Sequence, residues 1–388
     1  MIVIEDEKNC CGCEACASVC PQKCISMQEN GEGFLYPHVE EKECIQCHLC
    51  EKTCPVIHPL ASHIPQAVFA AVHMDSHIQI GSSSGGVFMA LAELVIAKGG
   101  VVFGARFNKN WEVEHGYALS RKELLAFQGS KYVQSRIGDS YRVAESYLKD
   151  DRWVLFSGSP CQIAGLHAYL RRSYDRLLTV DVVCHGVPSP LVWRRYLNQV
   201  VPESNIHNVK RITFRDKSNG WRNYSFCIYM ESNAIDSEKP FLKEPYRKNA
   251  FMRGFLNNFY LRSSCYDCPM RNGRSGSDIT LGDYLGIEKQ YPEFYDEHGV
   301  SLVVIHSEKG NAWYQQCHLR QIATDYAQAT ISNSCLVKSV EDSPYRKIFW
   351  RFFHQKDVEY AVSRTYWLKK CPNLKRFCGK VKTKIFAK

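Results

Sequence analysis

The apolar positions of this chain fall into short runs separated by amphipathic stretches. Ala67–His73, Val101–Phe107, Trp153–Ser157 and Leu177–Cys184 have the length and β-branched content of buried strands. Shorter runs at Ile212–Arg215, Tyr224–Met230, Asp278–Leu281 and Leu302–His306 add further strands. Between them, residues 85–98, 162–172 and 191–201 read as helices. Strands alternating with helices predict an α/β or α+β body built on a mixed sheet. The aromatic- and base-rich C-terminal segment reads as helical.

The N-terminal segment breaks this pattern, because cysteine replaces periodicity as the organising signal. Ten of the nineteen cysteines lie between residues 10 and 54. Cys10, Cys13, Cys16 and Cys20, followed by Pro21, spell C-x2-C-x2-C-x3-C-P, and Cys44, Cys47, Cys50 and Cys54, followed by Pro55, spell it again. Three closely spaced thiolates wrap one 4Fe-4S cubane, and the fourth crosses to the other cluster. That rule assigns Cys10, Cys13, Cys16 and Cys54 to one cluster and Cys44, Cys47, Cys50 and Cys20 to the second. Zinc sites also use C-x2-C pairs, but not three cysteines at this spacing with a fourth before proline, twice over. Cys11 and Cys24 fall outside the pattern and read as bystanders. Residues 25–40, with Gly31, Gly33, Phe34 and Tyr36, read as a hairpin over the clusters. Pro55, Pro59 and Pro65 mark a linker, which gives a bacterial-type ferredoxin module over 1–62. The body then divides into 63–150, 151–335 and a basic tail over 336–388.

The N-terminus lacks the basic region, apolar core and cleavage site of a signal peptide, and no apolar run is long enough to span a bilayer, so the expected address is cytoplasmic. The net charge of +9 is concentrated: Arg364 to Lys388 carries nine Lys or Arg and no acid. Such a run is either a solvated end or a docking surface for an acidic partner or an anionic membrane face. No nucleic-acid-binding motif accompanies it.

Two further groups look chemical. Gly81, Ser82, Ser83, Ser84, Gly85 and Gly86 are expected to end a strand and open an apolar helix, where backbone N–H groups meet an anion such as a flavin phosphate. Ordinary capping by Ser84 explains the same residues. Cys161, Cys184, Cys265 and Cys268 stand at strand ends or in a C-x2-C pair, and suit either a third cluster or a set of structural thiols.

Ser82–Gly86, Gly129–Gln134, Gly158–Gln162, Asp181–Ser189 and Ser277–Tyr284 occur in an order that resembles the beta subunits of the coenzyme F420 (deazaflavin) hydrogenases and dehydrogenases, over about residues 1–310. The resemblance implies FAD as well as 4Fe-4S clusters, with electrons passing between the clusters and a hydride acceptor at the flavin. Relatives on the same fold include the plant reductase of hydroxymethyl chlorophyll and bacterial chains accompanying surface-polysaccharide genes, so a sugar-related small-molecule substrate is within its range. It implies a third cluster at Cys161, Cys184, Cys265 and Cys268. It places FAD against Ser82, Ser83, Ser84, Gly85, Gly86, Lys131, Tyr132, Gln134, Gly158 and Pro160. Lys131 would steady charge on the flavin and His185 would donate a proton. The implied partners are an acidic ferredoxin or flavodoxin, or a hydrogenase- or dehydrogenase-type subunit. A competing expectation is an electron-transfer subunit with no substrate chemistry of its own.

Overall fold

A computed structural model describes residues 1–231 and 239–371. The N-terminal module is a two-stranded antiparallel hairpin, β1 (Ile25–Glu29) and β2 (Leu35–Val39), in the register Ile25↔Val39 to Glu29↔Leu35, with short helices at Ala15–Val19 and Leu49–Lys52. Its small core is built largely of thiols: Ile2, Cys16, Cys24, Ile25, Cys50 and Cys54 are buried together. So few apolar side chains make a weak core, and the cysteine spacing implies a metal centre in their place.

The linker is not a free tether. A Cβ on Gly276 would meet Leu60 Cδ1 at 2.8 Å, and one on Gly273 would meet His63 Cε1 at 2.9 Å. His63 also sits edge-on to His306, with ring centres 4.9 Å apart.

Eleven strands follow: β3 (Ala67–His73), β4 (Val101–Phe107), β5 (Val113–Ala118), β6 (Val154–Gly158), β7 (Leu177–Val182), β8 (Val209–Asp216), β9 (Ser225–Met230), β10 (Leu242–Pro245), β11 (Ile279–Asp283), β12 (Ser301–Ile305) and β13 (Leu319–Thr324). Eight form one mixed sheet in the order β13-β3-β12-β11-β7-β6-β4-β5. Its centre, β11, β7, β6 and β4, is parallel, and the flanking pairs are antiparallel. The centre is covered on both faces, which is why its strands read as unbroken apolar runs. Helices Val87–Ala97, Ser140–Lys149 and Pro160–Leu170 contribute to that cover.

The expected strands and helices are present with ends moved by a few residues, while β5, β10 and β13 escape the apolar pattern. One expectation fails locally. The Ser/Gly segment does not end a strand, because β3 stops at His73 and a short helix, Ser76–Gly81, intervenes. Asp75 starts that helix by accepting a hydrogen bond from the His77 N–H at 2.8 Å.

A smaller sheet, β10-β9-β8, packs with helices Pro190–Val200, Ala250–Leu256, Arg346–Phe353 and Val358–Lys370 around Trp193, Phe214, Phe226 and Phe251. The C-terminal helices thus have a structural job. Of the nine tail bases, Arg364, Lys369 and Lys370 lie on the last helix, and the other six fall outside the described residues. Among the described residues no helix is long and apolar enough to cross a membrane.

The sheet positions the chemistry. Strands β3, β4, β6, β7 and β11 all end on one edge. That edge therefore collects the Ser82–Gly86 loop, Cys161 just past Gly158, and Cys184 just past Val182.

Candidate functional site: thiol groups and a serine–glycine loop

The two cysteine loops repeat in backbone as well as in sequence. Gly12 and Glu14 in the first have φ of 68° and 62°, and Gln46 and His48, at the same places in the second, have φ of 52° and 58°. Left-handed residues cost non-glycine side chains roughly 1–2 kcal/mol each, so three of them at matching positions point to a shared constraint. Alternating conformations of this kind turn successive N–H groups inward as an anion-binding nest, a feature of iron–sulfur sites. The N–H groups of residues 11–16 and 45–50 have no backbone acceptor among the described residues. The Ala15 N–H instead faces the Cys13 thiol, the Ala17 N–H faces Cys16, and the Ile2 N–H lies 3.3 Å from Cys50 Sγ.

The structure brings the thiols of the two loops together. Burial pushes the Cys16 thiol up strongly, reinforced by Cys10 and Cys54. Cys20, Cys44, Cys47 and Cys50 line one hollow that also touches Cys24 and Pro21. Among the described residues no three His, Cys, Asp or Glu groups converge to hold a single ion. A cubane does not ask for that, since each thiolate binds a different iron. These residues fit two 4Fe-4S clusters.

The module is docked tightly on the body. The buried Glu14 carboxylate accepts from the N–H groups of Ile137 (2.8 Å) and Gly138 (3.0 Å), and Arg346 forms a fork on Glu32. Gly33 presses its Cα against Leu191, at the start of the helix Pro190–Val200. Arg262 reaches from the body into the module, donating to Cys10 O at 2.7 Å, Leu35 O at 2.9 Å and Cys10 Sγ at 3.4 Å. Gln134 is spent here as well. Its amide donates to Cys11 O and its carbonyl accepts from Arg262, which commits it to the module contact.

In the body, Cys161, Cys184, Cys265 and Cys268 come together. Burial lifts the Cys184 thiol well above its ordinary range, with Cys265, Cys161 and Cys268 adding to the rise, while Arg271 opposes it. Cys265 is pushed up to about 12 by burial and by Cys161 and Cys268. Arg271 donates to Cys184 O at 2.5 Å, and the Val187 N–H reaches Cys265 Sγ at 3.4 Å. Cys11, read from sequence as a bystander, lies between this quartet and the module. Its thiol is raised by a hydrogen bond with Cys13 and also contacts Cys161.

The serine–glycine loop is mostly self-satisfied at its side chains. Ser82 Oγ donates to Ile78 O and Ser84 Oγ to Val300 O, while Ser83 Oγ accepts from the Ser130 N–H at 2.7 Å. Its backbone differs. The N–H groups of Ser83, Ser84, Gly86 and Val87 have no backbone acceptor among the described residues, at the start of an eleven-residue helix. Gly85 admits no side chain, since a Cβ would meet Ala71 O at 2.3 Å. The loop's donor set fits a phosphate.

Lys131 adjoins Ser130, donates to Ala126 O (2.7 Å) and Gln128 O (3.2 Å), and is pushed down to about 7 by burial. Lys217, which no sequence signal singled out, ties the loop from behind through Gln79 O (2.7 Å), Ser84 O (3.1 Å) and His298 O (2.5 Å). Beside it Arg215 pairs with Asp283, whose other oxygen accepts from the Trp221 indole. His185 donates from Nε2 to Asn258 Oδ1 across 2.7 Å, and burial lowers its pKa. Its ring meets Phe255 edge-on, and Tyr132 stacks on Phe255, so His185 and the Lys131 loop flank one aromatic side chain. Gly158 and Pro160 instead lead into the helix carrying Cys161.

Residues 9–57 match the 4Fe-4S dicluster domain, and residues 151–327 match the family described as the C terminus of the coenzyme F420 hydrogenase/dehydrogenase beta subunit. No curated protein matches the chain. Among solved structures, one of those similar to it is a chain of the F420-reducing NiFe hydrogenase complex from Methanosarcina barkeri, 16% identical over 82% of this chain and 94% of that chain, with a TM-score of 0.46. With a 4Fe-4S dicluster domain ahead of a body whose residues 151–327 match the C terminus of the coenzyme F420 hydrogenase/dehydrogenase beta subunit, the chain is an iron–sulfur protein of the oxidoreductase electron-transfer class.

Proposed function

We propose that this chain is an iron–sulfur flavoprotein passing electrons between a one-electron carrier, or a partner subunit, and a small hydride-accepting molecule. The carrier would be an acidic ferredoxin or flavodoxin, and the acceptor the deazaflavin coenzyme or another compound, sugar-related ones included. When bound, 4Fe-4S clusters pass single electrons and FAD handles one or two, which converts between the two kinds of partner.

The observation that carries this reading is a continuous line of thiols. It runs from the hollow at Cys44, Cys47, Cys50 and Cys20, through Cys10, Cys13, Cys16 and Cys54, past Cys11, to Cys161 and its three neighbours. In this reading Cys161, Cys184, Cys265 and Cys268 hold a third cluster. The N–H groups of Ser83, Ser84, Gly86 and Val87 bind the FAD phosphates, and the committed hydroxyls of Ser82 and Ser84 make backbone the donor there. Lys131 can gain or lose its proton near neutral pH beside that loop. His185, oriented by Asn258, supplies a proton to the acceptor.

Anaerobic purification followed by iron, zinc and flavin analysis tests it. About twelve irons and one FAD per chain are expected, since each cubane holds about four irons. Stoichiometric zinc with little iron refutes it. The second reading is a chain that relays electrons without substrate chemistry. Iron without flavin, and no turnover until a partner is added, would select that one.

A further inference from the structure

Arg262 is among the largest side chains buried completely in the molecule, at 0% exposure. A buried guanidinium needs a counter-charge, yet among the described residues no carboxylate stands at ion-pair distance from it. Its acceptors are Cys10 O, Leu35 O, the Gln134 carbonyl and Cys10 Sγ. Its flat faces lie against Tyr36, 4.2 Å from the ring centre, and Phe34, at 5.5 Å. The anionic group in direct contact with it is thus a thiolate of Cys10 once that residue holds iron, while Glu14, Cys11 and Cys265 interact with it only through their charge. The protein also makes room for it: a Cβ on Gly12 would meet the Arg262 guanidinium at 2.6 Å. The Arg262 carbonyl in turn accepts from the Cys265 N–H at 2.9 Å, so the same residue is anchored at the body quartet.

We propose that Arg262 is the buried counter-cation of the cluster held by Cys10, Cys13, Cys16 and Cys54, and that it makes this cluster the more easily reduced of the N-terminal pair. The proposal rests on the cluster assignment of the proposed function. Reduction adds one electron, taken from the carrier, and no bond or proton changes. Arg262 stabilises the added negative charge across a dry contact, where the interaction is strong. Among the described residues the other quartet has no such partner. The cation beside its hollow is the Met1 ammonium, which is paired to Glu51 at 3.2 Å and open to water, so its field is screened. Electrons entering at the more exposed Cys44–Cys50 loop would then run downhill toward Arg262 and the body. Arg262 acts here as a positioning residue, and docking of the module sets the potential of its inner cluster.

The test is a redox titration of the full chain followed by electron paramagnetic resonance, comparing wild type with Arg262→Gln and Arg262→Lys. Arg262→Gln should lower one N-terminal midpoint by at least a tenfold change in reduction equilibrium, about 59 mV for one electron. The other midpoint should hold, and Arg262→Lys should recover most of the shift. Unmoved midpoints in Arg262→Gln with iron retained would overturn the proposal, as would equal shifts in the Gln and Lys variants. Should Arg262→Gln lose its iron, wild type grown on arginine labelled with 15N in the guanidinium decides the matter. A 15N coupling on the reduced N-terminal signal supports the contact, and its absence overturns it. Loss of flavin or of the body cluster leaves these N-terminal readings intact and counts against the proposed function alone. Wild-type protein without N-terminal iron overturns both.

Discussion

Replacing Gly33 by alanine should separate the module from the body while leaving its cluster ligands in place. Gly33 sits at the tip of the β1–β2 hairpin with φ of 84°, closing a turn in which Asn30 Oδ1 accepts from the Glu32 and Phe34 N–H groups. A Cβ there would meet Leu191 Cβ at 2.2 Å and the Leu191 backbone N at 2.6 Å. Neither atom can rotate away, because both belong to the start of the helix Pro190–Val200. The left-handed backbone costs alanine roughly 1–2 kcal/mol, and overpacking adds roughly 1–3 kcal/mol. A reduced unfolded-state entropy returns about 0.4–1 kcal/mol. The net is a destabilisation of roughly 1–5 kcal/mol, directed at the contact that also carries the Arg346–Glu32 and Arg262–Leu35 bonds. Gly31 is a matched control: its φ is not positive and a Cβ there meets nothing within 4 Å. Anaerobic thermal unfolding should show a midpoint lower by about 5 °C for Gly33→Ala, faster proteolysis at residues 56–66, and slower transfer of electrons from the N-terminal clusters to the body. Gly31→Ala should match wild type, and both variants should keep about eight N-terminal irons. Equal midpoints and equal transfer rates for the two variants would refute the docking argument.

Replacing Cys265 and Cys268 together by serine should remove about four irons and spare the N-terminal eight; an unchanged iron assay would make these thiols structural. Lys217→Met should lower flavin content without lowering iron, because it strips the carbonyls of Gln79, Ser84 and His298 of their shared donor; unaltered flavin would detach the loop from FAD. His115, buried between Ser157 O and Ser135 Oγ at 2.9 Å each, is held down to about 4 by burial. The unfolded chain takes up a proton near pH 6.5 that the folded chain refuses until about pH 4. Stability from this group is therefore present above pH 6.5 and falls as pH drops through that window, by up to about 1.4 kcal/mol per pH unit. His115→Gln should flatten that part of the pH dependence, measured as the gap between variant and wild-type midpoints from about pH 7 to about pH 5; a constant gap would show that His115 is not the group.

What this sequence determined by itself is local. Cluster ligands must stand at set distances along a tight loop, so C-x2-C-x2-C-x3-C-P, written twice, was enough to read the N-terminal thiols, and the repeated left-handed residues at 12, 14, 46 and 48 are the backbone form of the same spacing. Strands buried on both faces have to be apolar throughout, so β4, β6, β7 and β12 were legible as runs. The half-exposed β13 was not, because a strand at a sheet edge need not be apolar. The body thiols stood between, with Cys265 and Cys268 visible as a pair while Cys161 and Cys184 joined them only through the shared edge of β6 and β7. Tertiary structure alone decided the rest. It alone turned Cys11 from a bystander into the thiol between two groups of cysteines, moved Gln134 into the module contact, and sent Arg262 across 252 positions of sequence to Cys10. The physical reason is that a buried charge or thiol is chosen by what surrounds it in space. Spacing along the chain records only neighbours within a turn or a loop, whereas these partners meet because two separately folded surfaces exclude water from the same place.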